Sequence, residues 1–219
     1  MSARPATGLE IDLTLAKVTG LLGRLEEARK RLDRMSAAHE ANPEIEEAQA
    51  YIAWRSGDRE GALRNFELVF DHGSAHWKTY WDYARLLEVT RPDPSEEIDA
   101  LHKALALKPE FADARLMLGY ELFIAGRCDA ALLQLERVKD ADPRYAGTMF
   151  LLMARASAAS GKDDQARQYA REAKKHALRP EEAKSMDALL HHLDHPTTED
   201  DEDEKRPTVR YRNPGKPGQ

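Results

Sequence analysis

Two imidazoles four residues apart, His191 and His195, bracket Asp194 towards the end of the sequence. On a helix that spacing puts both rings on one face, the arrangement from which a two-histidine zinc site is built. Zinc needs a further ligand at matching distance, and none stands in the pattern. Leu193 and Asp194 also break the HExxH order of zinc proteases. The rings are read as solvated groups near a helix C-terminus, where the exposed carbonyls favour an imidazolium. The single thiol, Cys128, closes no internal disulfide, and its place in a helical pattern marks a buried thiol rather than a nucleophile. No glycine-rich phosphate loop, GxSxG elbow, CxxC pair or EF-hand run is present. Acids are plentiful, but on helix surfaces their abundance is solvation. The expectation is a non-enzyme, with no metal and no cofactor.

Composition narrows the classes further. The chain has 219 residues, 42% hydrophobic and 33% charged, enough for a sizeable core in a hydrophilic helical protein. No run approaches the roughly 18 apolar residues of a membrane span. The start, MSARPATGLEIDLTL, has no apolar signal-peptide core, so the expected location is cytoplasmic. With a net charge of -6 and no clustered Lys and Arg to release counterions, nucleic-acid binding is excluded.

The elements that position side chains emerge from an internal repeat. In the stretch ADARLMLGYELFIAGRCDAALLQLERVKDADP, with Ala112 as position 1, small and bulky residues recur at fixed places. Equivalent units begin near Leu9, Pro43, Trp77 and Gly147. Position 8 reads Ala16, Ala50, Ala84, Gly119 and Ala154; position 15 reads Gly23, Gly57, Gly126 and Gly161, with the third unit lacking it. Position 20 gives Ala28, Ala62, Glu97, Ala131 and Ala166, and position 24 gives Leu32, Phe66, Leu101, Leu135 and Ala170. Position 27 gives Met35, Val69, Ala104, Val138 and Ala173. Small residues at 8 and 20 let two helices approach closely, and bulky ones at 24 and 27 fill the space between units. Glycine at 15 suits a left-handed turn after the first helix, and prolines such as Pro109, Pro143 and Pro180 stop the second.

This register resembles the tetratricopeptide repeat, a helix-turn-helix unit of about 34 residues. The resemblance implies an all-α fold, a right-handed superhelix (α-solenoid) of antiparallel helix pairs. Units are expected at 9–42, 43–76, 77–111, 112–146 and 147–180, after an N-terminal extension at 1–8. Ala183, Met186, Leu189, Leu190 and Leu193 give an amphipathic spacing for a capping helix over 181–195. Residues 196–219, with six acids at Glu199–Glu204 and then Lys205, Arg206, Arg210 and Arg212, are expected to be disordered. Departures are Gln49, expected to loosen the first helix of unit two, and Glu97 at a small-residue position. The third unit also has a proline-opened turn, with Ser95 expected to cap the helix that follows.

In the tetratricopeptide family the first helix of each unit lines a concave groove through positions 2, 5, 9, 12 and 13. That register implies groove residues Tyr51, Trp54 and Arg55 from unit two and Trp81 and Arg85 from unit three. Unit four adds Leu116, Tyr120, Phe123 and Ile124, unit five adds Leu151 and Arg155, and unit one offers Leu13 and Lys17. Aromatic anchors with spaced cations suit a peptide or protein segment carrying apolar side chains and carboxylates. The family's clamp for chaperone tails needs Lys and Asn where Leu13, Lys17, Glu47 and Tyr51 stand, so it is absent. The functional expectation is a non-catalytic protein-interaction scaffold. The alternatives are an assembly chaperone of a bacterial secretion or multiprotein complex, and a non-catalytic part of a larger enzyme. The oligomeric state is left open by the sequence.

Overall fold

A computed structural model describes residues 8–73, 76–139 and 142–195. The expected N-terminal extension, except Gly8, and the acidic-then-basic tail lie outside the described residues. Within them the chain is helical and contains no strand.

Ten helices form five successive pairs: α1 (Gly8–Leu21) with α2 (Leu25–Ala38), α3 (Pro43–Arg55) with α4 (Arg59–Asp71), and α5 (Trp77–Thr90) with α6 (Ser95–Leu107). They continue as α7 (Ala112–Ile124) with α8 (Cys128–Leu135) and α9 (Pro143–Ala159) with α10 (Asp163–Ala173). An eleventh helix, α11 (Pro180–Asp194), packs on α9 and α10. Each helix packs on its neighbours in the chain, so the core is a row of apolar clusters rather than one central mass.

The repeat positions explain this stacking. Ala16, Ala50, Ala84 and Ala154 are fully enclosed where paired helices approach. At Gly119 the approach is closer still, since an added Cβ would lie 2.6 Å from Leu135 Cγ. The four glycines at position 15 have φ between 69° and 85°, a left-handed conformation that ends the first helix and reverses the chain. The third unit turns instead through an extended Arg91 and the Pro92–Pro94 segment.

Caps fix several helix starts. The Asn42 side chain accepts from the backbone N–H of Glu44 at 3.0 Å and Ile45 at 3.3 Å, and Asp58 accepts from Gly61 N–H at 2.8 Å. Ser95 is not a cap. Pro94 occupies the cap position, and Ser95 donates its N–H and hydroxyl to Asp93. Gln49 does not loosen α3: its amide donates to Asp33 of α2, between the first and second pairs, at 3.4 Å, while Ile45, Ala48, Ala50 and Ile52 are buried. Val138 lies beyond the end of α8 and is only half-buried, unlike its counterparts at position 27.

The two ends of the stack differ. At one, α11 sets Met186 and Leu193 into the last pair. At the other, α1 leaves Ile11, Leu15, Val18, Leu21 and Leu22 exposed along one face.

Candidate functional site

Side chains three and four residues apart on a helix share a face. Trp81, Arg85 and Glu88 on α5 form such a row, as do Asp113, Leu116, Met117 and Tyr120 on α7 and Tyr145, Thr148, Leu152 and Arg155 on α9. These rows, with the first turns of α11, enclose a cleft of about 290 Å³. Six of the thirteen groove residues implied by the repeat register line it: Trp81, Arg85, Leu116, Tyr120, Leu151 and Arg155. Leu116 and Leu151 are buried in the core and show the cleft only an edge.

The other seven lie elsewhere. Arg55 on α3 reaches back to Tyr51, its Nη1 donating to the phenol oxygen at 3.2 Å. Trp54 touches the site indirectly, because the Arg85 guanidinium sits over its ring at 5.2 Å and over Trp81 at 5.8 Å. Phe123 packs into the core beneath the Arg155 guanidinium, 5.0 Å from its ring centre. Ile124 is exposed and outside the cleft, as is Lys17, and Leu13 belongs to the core of the first pair. The arginines of the register are therefore stacked on its aromatics. Burial pulls the Arg155 pKa down, with Tyr120 acting in the opposite sense.

The register list left out all five acids of the cleft, Glu88, Asp113, Glu121, Glu181 and Glu182, together with residues such as Thr148 and Arg179. Asp113 and Thr148 stand at position 2 and Glu88 at position 12, so the same rule contained them; Glu121 at position 10 and the α11 residues fall outside it. The buried acids behave in two ways. Glu182 accepts from Thr148 Oγ1 at 2.8 Å and from Arg179 N–H at 2.9 Å, and pairs with the Arg179 guanidinium. Burial alone would raise its pKa, but these hydrogen bonds outweigh burial and hold the carboxyl below its ordinary value. Glu121, only 7% exposed, has no hydrogen-bond or ion-pair partner among the described residues. Burial first, and the charge of Glu88 second, push its carboxyl up to about 7. Glu97 on α6 is 3% exposed with Oε1 unpartnered, and burial followed by the charges of Glu121 and Glu88 push it up to about 9.

The other candidates for chemistry stay apart from the cleft. His191 and His195 are exposed with ring centres 4.9 Å apart, and no three His, Cys, Asp or Glu among the described residues are placed to hold a metal. Cys128 is half-buried, and burial pushes its thiol up, away from the thiolate. No helix of the described residues is long and apolar enough to cross a membrane.

No protein-family model and no curated protein matches the sequence. Solved structures do. YrrB, described as a TPR protein with an unusual peptide-binding site, superposes with a TM-score of 0.71 at 19% identity, covering 82% of this chain and 90% of its own. MamA from Desulfovibrio magneticus RS-1 gives 0.63 at 15% identity, covering 78% and 95%. The C-terminal part of a TPR repeat-containing protein from Cytophaga hutchinsonii gives 0.61 at 15% identity, covering 82% and 71%. At such identities the likeness concerns the backbone, and the chain has the fold of the tetratricopeptide repeat proteins.

Proposed function

We propose that the protein is a non-catalytic interaction scaffold that holds a segment of a partner protein in the cleft between α5, α7, α9 and α11. The observation that carries this reading is the convergence there of Trp81, Leu116 and Tyr120 with Arg85 and Arg155 around a space of about 290 Å³. Concave, mostly apolar sites with a few placed polar groups are where short ligands bury most of their surface. An apolar side chain of the segment fills the space beside Trp81 and Tyr120. A carboxylate of the segment meets the stacked guanidinium groups, which their aromatic neighbours hold in place. The description of YrrB as peptide-binding supports the same use of the fold.

The test is affinity capture from cell extract with quantitative mass spectrometry, comparing the wild type with Tyr120→Ala and Arg155→Ala. Proteins held through the cleft should fall about tenfold or more in recovery with either variant, the loss typical of an interface hot spot. Far-ultraviolet circular dichroism should be unchanged. An identical set of captured proteins from folded variants would refute the reading.

A further inference from the structure

Two of the four buried acids among the described residues have partners, as does the half-buried Glu47. Glu46 meets His72 Nδ1 at 2.8 Å, Glu47 accepts from Thr79 Oγ1 at 2.7 Å, and Glu182 has three contacts. Glu121 and Glu97 are the contrast. Among the described residues Glu121 faces the cleft with no hydrogen-bond or ion-pair partner, and none satisfies Glu97 Oε1. A buried carboxyl without a donor is costly, and the cost is recovered only when a donor arrives. Because Glu121 forms part of the cleft wall, a ligand has access to it from solvent. Glu88, on the facing row of α5, adds a negative charge to the same corner, so the donor that gains most is a cation. A metal ion would need three converging ligands, and the described residues offer no such group. The apolar surface next to the acid, Met117 one turn earlier on α7, suits the methylene stem of a long side chain.

We infer that the Glu121 corner of the cleft receives the ammonium or guanidinium group of a lysine or arginine in the bound segment. This rests on the reading of the cleft as a peptide site and specifies its ligand. The preferred segment then carries a basic residue beside an apolar one, with any carboxylate directed to Arg85 and Arg155.

A synthetic array of random octapeptides tests it, probed with the full chain and with Glu121→Gln. Octamers retained by the wild type should be enriched in Lys and Arg, and the variant should lose that enrichment while keeping the apolar preference. The strongest octamer, resynthesised with norleucine for lysine or citrulline for arginine, should bind the wild type about tenfold or more weakly, the range for removing one charged partner. This arm depends on no variant folding. Octamers retained without Lys or Arg enrichment, enrichment that survives Glu121→Gln, or an uncharged octamer of equal affinity would each overturn the inference and leave the cleft as a peptide site. Retention of no octamer at all would overturn both.

Discussion

Glu97→Gln is expected to raise stability at pH 8 and to flatten its decline from pH 5 upward. In the folded chain the Glu97 carboxyl is pushed up to about 9, by burial and then by Glu121 and Glu88. Between its ordinary value of 4.5 and about 9 the folded state therefore keeps a proton that the unfolded state has lost. Stability is then fully present below the unfolded value and falls as pH rises, by about 1.4 kcal/mol per pH unit for one such group. Glu121, pushed up to about 7, adds the same slope over the lower part of the window. Glutamine cannot ionise, so the variant should escape a loss on the order of 4 kcal/mol between pH 5 and pH 8. Urea unfolding at the two pH values measures this directly. A wild-type midpoint that stays constant from pH 5 to pH 8 would contradict it.

The second large effect lies in the packing between pairs. Phe66→Ala should cost about 3–5 kcal/mol, the range for deleting a buried aromatic ring. Phe66 is 1% exposed, sits among Ala50, Leu63, Leu86 and Leu87, and meets Tyr83 edge-on at 5.8 Å. It joins α4 to both α3 and α5, so its loss removes an interface between adjacent units as well as a contact within one. Alanine does occur at this position in the last pair, as Ala170, but there Met186 of α11 occupies the neighbouring space. Chemical unfolding gives the value, and a loss below about 1 kcal/mol would show that the ring does not hold the pairs together.

The helix pairing was legible because it rests on short-range chemistry. Small residues at positions 8 and 20 and glycine at 15 state how near two helices come and where the chain turns. The buried alanines and the left-handed glycines realise those statements. The turn of the third unit was not legible at the same resolution. Asp93 draws the Ser95 donors towards itself, and Pro94 takes the cap position instead. The cleft was half legible, since a repeat register says which face of a helix a residue occupies but not how deep it lies. Phe123 lies half-buried against the core, while Ile124, next to it in the chain, is exposed. Tyr51, Trp54 and Arg55 occupy the intended positions on α3, yet the cleft closes around α5, α7, α9 and α11. The sign of the site was misleading for a related reason. Arg85 and Arg155 stood out in the list, whereas Glu121 falls outside the groove positions and Glu181 and Glu182 come from α11.

The exposed leucines and isoleucine of α1 give this stack a direction. Each pair is held by the pairs on either side, so a pair whose outer apolar face is covered by none of the described residues is the first to let go. With α11 clasping the opposite end, spontaneous opening should start at α1 and α2 and run towards the middle like a zip released from one side. Amide hydrogens of α1 and α2 should accordingly exchange fastest and those of α9 and α10, next to the clasped end, slowest. The cleft, formed by α5, α7, α9 and α11, should then lie on the side that stays closed longest.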